Sequence, residues 1–187
     1  GGSVYFRIPS SGVHDYLEVA SSSDFAYGTG DYTWELWYYL TENTSHSNYM
    51  INHPNYLPAL SNQSNNTLNY MNATPYTMVA AIAPQGQWSH VAASRVSGTL
   101  NLYHNGIRTN TASDSNNYSA NSLRIGAYTG DNYGMAGYLS DVRVVKGTGL
   151  YSGTSITVPT APLTSTGSET KLLLNMTNGQ ALDSAAQ

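Results

Sequence analysis

Two acids stand inside apolar, strand-like runs: Glu35 in TWELW and Asp141 in LSDVR. Cleavage of a glycosidic bond uses two carboxyl groups about 5 to 9 Å apart, one on each side of the bond. A strand supplies them by carrying acids at alternate positions, where side chains share a face. Neither acid has such a companion. Thr33 and Trp37 stand two residues either side of Glu35, and Arg143 stands two residues after Asp141. The missing pair argues against a glycoside hydrolase. Glu35 and Asp141 read instead as hydrogen-bond acceptors, or as cross-strand partners of Arg95 or Arg143.

Other catalytic chemistry finds no better footing. Serine is abundant, but no G-x-S-x-G elbow sets one on a strained turn. His14, His46, His53, His90 and His104 show no H-x-x-x-H spacing, and there are no cysteines, so a zinc site is not indicated. The chain reads as non-enzymatic. Rings are its main resource. Trp37, Tyr39, Tyr56, Tyr70, Tyr128 and Tyr133 could line one concave face, since rings stack on the apolar faces of sugars while Asn and Asp bind hydroxyls. Tyr, Asn, Ser and Gly equally suit protein contact. Trp34, Trp88 and several tyrosines also suit the packing of a core.

Alternating strands must position these groups. Tyr32, Trp34, Leu36 and Tyr38 fall on one face, and Thr33, Glu35 and Trp37 on the other. Trp88 to Val96 and Leu100 to His104 read as strands. Asn105-Gly106 then predicts a two-residue hairpin, because both residues accept the positive φ of a type I′ turn. Leu123 to Ala127 is a further strand. In Gly137 to Lys146 the alternation slips: Leu139 belongs with the core, as do Val142 and Val144 of opposite parity, so a β-bulge is expected near Ser140-Asp141. Ser22-x-Asp24 predicts at most a capped helical turn. No stretch holds a 3.6-residue period. The pattern is that of an all-β antiparallel sandwich.

Composition narrows the partners. The 187 residues fit one domain, 1–187, and the ends read as those of a piece cut from a longer protein. Only 10% of residues are charged, against roughly 25% in an ordinary soluble chain, and 16 are tyrosine. A net charge of −4 with 7 Lys and Arg in total argues against nucleic acid and against attachment to anionic lipid. No apolar run approaches the roughly 20 residues that span a bilayer, so membrane insertion is not expected.

The segment GYLSDVRVVKGTGLY, Gly137 to Tyr151, resembles the closing strand of laminin-G-like domains of the concanavalin A-like lectin/glucanase superfamily, in versions found in bacteriophage virion proteins. VYF at Val4, DYLEVA at Asp15, SSDFAYGTGDYTWELWYY at Ser22, WSHVAASR at Trp88, LNLYHNGI at Leu100 and KLLLN at Lys171 extend the likeness along the chain. The resemblance implies a jelly-roll β-sandwich. It implies a non-catalytic glycan-binding or receptor-binding module of a virion surface protein such as a tail fibre, located on the virion surface or extracellular. The alternatives are a decoration or oligomerisation domain that contacts other virion proteins without sugar binding, and a glycoside hydrolase; a place at a fibre tip would imply a homotrimer in the parent protein. Among pentraxins, distant relatives by this resemblance, the loop at Tyr128 to Tyr133 supplies calcium ligands, and a loop corresponding to Asn52 to Tyr56 supplies the others. The expected ligand-binding residues are therefore Asn52, His53, Asn55, Tyr56, Tyr128, Asp131, Asn132 and Tyr133, with Trp37 on a strand face. Calcium takes six to eight oxygens, and Asp131 is the one acid these loops offer it. Gly130-Asp131-Asn132 is also ordinary turn chemistry.

Overall fold

The computed structural model describes residues 1–10, 12–42, 46–53, 57–72, 78–128 and 133–176, and for 78–82 the backbone alone. In chain order the described strands are β1 (Val4–Phe6), β2 (Leu17–Ser22), β3 (Tyr32–Leu40), β4 (Asn48–Asn52), β5 (Ala59–Asn62), β6 (Thr67–Met71), β7 (Met78–Ile82), β8 (Trp88–Val96), β9 (Thr99–His104), β10 (Ile107–Ser113), β11 (Asn121–Ile125), β12 (Gly137–Lys146) and β13 (Thr170–Leu174). They form two antiparallel sheets. The larger runs β1-β12-β3-β8-β9-β10, with β13 continuing β1 along the same edge of β12; the smaller runs β2-β11-β4-β5-β6-β7. The sheets pack face to face as a sandwich consistent with a concanavalin A-like jelly roll. Ser22 caps a single 3-10 turn at Ser23–Phe25, its hydroxyl accepting from the Asp24 N–H at 3.1 Å.

Alternation decides which face each strand buries. Tyr32, Trp34, Leu36, Tyr38 and Leu40 of β3 enter the core, which leaves Thr33, Glu35, Trp37 and Tyr39 on the outer face of the larger sheet. Trp34, Leu36, Val91, Leu102, Val142 and Val144 have no exposed surface. Each such burial stabilises by roughly 1.5 to 3 kcal/mol. The register of β12 against β3 shifts between Ser140 and Arg143, and Asp141 takes φ of 49°. That bulge lets Leu139 and Val142 both reach the core.

Asn105 and Gly106, with φ of 46° and 85°, turn the chain between the paired His104 and Ile107. Gly106 has a second reason to lack a side chain. A Cβ there would stand 2.9 Å from the carbonyl oxygen of Ile156 and from a methyl of Val158. The strand expected over Leu123–Ala127 ends earlier, at Ile125, because Gly126 turns with φ of 89° and the Phe6 ring fills the space of its missing Cβ.

Between β12 and β13, residues 147–169 cross the outer face of the larger sheet as a strap. Thr33 Oγ1 accepts from the Leu150 N–H at 2.9 Å and Ser94 Oγ from the Tyr151 N–H at 3.1 Å. The Tyr103 hydroxyl donates to the Gly153 carbonyl at 2.8 Å, and the Ile156 N–H to the Gly106 carbonyl at 2.7 Å. At one end of the sandwich Arg95, wholly buried, donates to the Gly28 and Asn116 carbonyls at 2.7 and 2.9 Å. Its guanidinium lies 4.7 and 5.1 Å from the Tyr32 and Tyr118 ring centres and 3.5 Å from Asp114. Arg95 is thus bound to Asp114, whereas Glu35 takes Arg143.

Candidate functional site

The strands that precede the two loops expected to hold ligand, β4 and β11, pair with each other. Asn52 Nδ2 donates to the Ala127 carbonyl at 2.8 Å, tying the end of β4 to the chain after β11. The Tyr128 N–H donates to the Tyr133 carbonyl at 2.8 Å and closes the base of the second loop. Tyr49, Tyr128 and Tyr133 form a ring cluster with centroids 5.1 to 5.9 Å apart. Asn52 and Tyr128 are buried within this assembly. Asn55, Tyr56, Asp131 and Asn132 lie outside the described residues. Among the described residues, no group of three His, Asp or Glu side chains gathers to hold a metal.

His53 is turned the other way. Its ring is buried, 5.4 to 6.5 Å from those of Tyr27, Trp34 and Phe25. The cause is a register shift between Tyr49 and Ile51, after which Met50 and Ile51 both face the core and the next inward position falls on His53. Burial lowers its pKa to about 4. The six aromatics expected on one face are likewise divided. Tyr70 is in the core, bonded to the Tyr32 hydroxyl at 2.5 Å. Trp37 and Tyr39 occupy the outer face of the larger sheet. Tyr128 and Tyr133 cluster with Tyr49, outside the main core, and Tyr56 is not among the described residues.

The outer face of the larger sheet carries an arrangement that alternation alone does not announce. Register places Tyr5 opposite Tyr138, Tyr138 opposite Tyr39, and Tyr39 opposite Trp88. Four rings thus form one rung across β1, β12, β3 and β8. Successive ring centres are 4.7, 5.9 and 5.7 Å apart. The rung is open to solvent at both ends, with Tyr5 44% and Trp88 42% exposed. Trp88 is therefore no core residue: Ser89, Val91 and Ala93 take the inward positions of β8. One rung further along, Ser140 pairs with Trp37 and Trp37 with His90.

Beneath the strap the same face holds a buried ionic cluster. Arg143 Nε donates to Glu35 Oε1 at 2.8 Å, and Nη2 contacts the same oxygen. Glu35 Oε2 accepts from the Tyr151 hydroxyl at 3.0 Å and lies 3.3 Å from His90 Nε2. Arg143 Nη1 donates to the Thr164 carbonyl at 2.8 Å, so the cluster also fastens the strap. Burial alone would push the Glu35 carboxyl up, but His90 and Arg143 outweigh it and hold the group below the usual carboxylate range. Asp141 is separate, with Oδ1 accepting from Asn175 Nδ2 at 3.1 Å. Burial pushes its carboxyl up, against a hydrogen bond from the Leu163 N–H, the charge of the Gly1 α-amino group and a hydrogen bond from Asn175.

Residues 11–148 match the laminin-G-type family model described as the concanavalin A-like lectin/glucanases superfamily, and the chain belongs to that superfamily. A search of curated proteins gave no match. Among solved structures, the chain is similar to a candidate carbohydrate binding protein from Bacteroides ovatus, with a TM-score of 0.67 at 13% identity over 97% of this chain and 53% of that one. It thus spans about half the length of that protein. It is also similar to the heptameric SAP-like pentraxin of Limulus polyphemus, with a TM-score of 0.57 at 19% identity over 76% and 74% of the two chains. Domain 4 of a GH43 extracellular arabinanase from Geobacillus stearothermophilus, solved in complex with arabinotriose, gives a TM-score of 0.55 at 18% identity over 74% and 69%. At these identities the likeness is one of fold.

Proposed function

We infer that the domain is a non-catalytic glycan-binding module whose ligand lies on the outer face of the larger sheet. The observation that carries this reading is the rung Tyr5–Tyr138–Tyr39–Trp88, a line of rings exposed at both ends on a rigid sheet. Clustered exposed rings mark an interaction surface. A pyranose offers C–H faces to such rings and hydroxyls to the polar groups beside them. Membership of the superfamily supports the reading, as do the names of two structural neighbours, one a candidate carbohydrate binder and one solved with arabinotriose. The lack of catalysis is supported by Glu35, whose two oxygens are taken up by Arg143, Tyr151 and His90. The finer setting, a phage virion surface with a host glycan as target, is supported by the resemblance of the Gly137 to Tyr151 segment.

A second reading keeps the ligand at the rim, on Asn52, Asn55, Tyr56, Tyr128, Asp131, Asn132 and Tyr133, with calcium on Asp131. Its support is the tie between Asn52 and Ala127 and the ring cluster around Tyr128. A glycan array probed with the domain, its Trp88→Ala variant and its Asp131→Ala variant separates the two. The rung predicts binding that is lost with Trp88 and kept without Asp131. The opposite pattern moves the site to the rim, and a blank array refutes both readings. Release of reducing sugar by wild type would overturn the non-catalytic assignment.

A further inference from the structure

A cleft of 660 Å³ opens beside the aromatic rung, and what lines it bears on which sugars this face accepts. Trp37 and Trp88 face it from β3 and β8, Ser140 and Asp141 from β12, and Val158 to Pro162 of the strap form a wall. Trp88 belongs both to the cleft and to the rung, so the two surfaces are continuous. The Ser140 hydroxyl donates to the Gly2 carbonyl at 2.5 Å, which leaves its lone pairs free to accept. Asp141 accepts from Asn175 and from the Leu163 N–H, and of a carboxylate's roughly four acceptor sites it retains some for a ligand. Rings and acceptors therefore converge in one concavity, the usual composition of a small-ligand site.

The side-chain charges are one-sided. Among the described residues, Asp141 is the one ionisable side chain lining the cleft, and no lysine or arginine lines it. The nearest arginine along β12, Arg143, is bound to Glu35 and to the Thr164 carbonyl. An acidic sugar would bring its carboxylate against Asp141 with no side-chain cation to offset it, and like-charge juxtaposition is a strong penalty. A neutral sugar brings hydroxyl donors to the same carboxylate and forms charge-assisted hydrogen bonds.

Resting on the glycan-binding reading of this face, we propose that the cleft is a subsite for an uncharged sugar residue, held between Trp37, Trp88 and Asp141, and that Asp141 excludes acidic glycans. The chain has 3 tryptophans. Trp34 is wholly buried, so a ligand-induced change in tryptophan fluorescence reports on the other two. The α-amino group of Gly1 also lies beside Asp141, so the experiment uses N-terminally acetylated protein, in which side chains alone set the sign.

The probes are neutral glycans from an array and their uronic- or sialic-acid-bearing counterparts, titrated by fluorescence and calorimetry. Neutral glycans should bind with a fluorescence change, and acidic counterparts at least about tenfold more weakly. Asp141→Asn retains a residue that tolerates positive φ; it should narrow that gap, at a somewhat lower Tm because its amide sets a donor against the Leu163 N–H or Asn175. Trp88→Ala should weaken neutral binding and reduce the fluorescence response. Equal affinity for acidic and neutral glycans overturns the proposal, as does a gap that Asp141→Asn leaves intact. If Tyr5→Ala, Tyr39→Ala and Trp88→Ala weaken binding while Trp37→Ala and Asp141→Asn do not, the subsite is refuted and glycan binding by the rung stands. If no glycan of either kind binds, both fall together.

Discussion

Replacing Glu35 by glutamine removes the one negative charge that, among the described residues, neutralises Arg143 beneath the strap. The Glu35 side chain is fully buried and that of Arg143 is 9% exposed. Breaking such a pair from one side leaves a cation in a low dielectric, at a cost of about 3 to 5 kcal/mol. In a chain of 187 residues, each 1 kcal/mol lowers Tm by about 2 to 4 °C. The expected fall is therefore roughly 6 to 20 °C, read by circular dichroism or calorimetry near neutral pH. Glu18→Gln is the control. Glu18 pairs with Arg124 at the surface, with 38% of its side chain exposed, and such pairs contribute about 0 to 1 kcal/mol. Adding Arg143→Met to Glu35→Gln removes the orphaned charge and should recover much of the loss. The same variant separates structure from catalysis, because a catalytic carboxylate would lose turnover while its Tm held. A Glu35→Gln protein that melts within about 2 °C of wild type would refute the structural role assigned to this cluster.

Three further outcomes are expected. His53 is buried with a pKa near 4, whereas an unfolded histidine titrates near 6.5. Between those values the unfolded state binds the extra proton, so stability is full above about pH 6.5 and declines as pH falls to about 4. The loss is about 3 kcal/mol, and His53→Phe should flatten that part of the Tm–pH curve; an unchanged slope would count against a neutral buried ring. Gly106→Val should destabilise by at least about 1 to 3 kcal/mol, because its φ is 85° and its Cβ would meet Ile156 and Val158; an unaltered melting curve would contradict the turn. Treatment with EDTA should leave Tm and glycan binding unchanged if the rung carries recognition, and a chelator-sensitive domain would point to calcium on Asp131.

Local rules made much of the sandwich legible. The parity of β3, the Asn105-Gly106 turn and the bulge at Asp141 each follow from a few adjacent residues, and each stands where alternation and turn chemistry predict. The candidate site was less legible, because it depends on register. Parity places Trp37 and Tyr39 on one face, but only pairing tells that Tyr5, Tyr138, Tyr39 and Trp88 share a rung, and a one-residue slip in any strand would break it. His53 shows the same dependence, since one extra residue in β4 moves it from the expected rim into the core. The strap was hidden for another reason. Residues 147–169 have no periodicity, and their course over Glu35 and Arg143 is set by single hydrogen bonds from strands distant in sequence.

The proposed glycan site is the outer aromatic rung of the larger sheet. It is tested most directly by measuring Kd for an array-positive glycan with wild type and with Trp88→Ala, at matched Tm. Trp88 is 42% exposed, so its removal should leave the fold intact. Loss of the ring should weaken binding at least about tenfold, the equivalent of roughly 1.4 kcal/mol of ring contact. Equal affinity in the two proteins, with Trp88→Ala folded and the glycan bound, would contradict it.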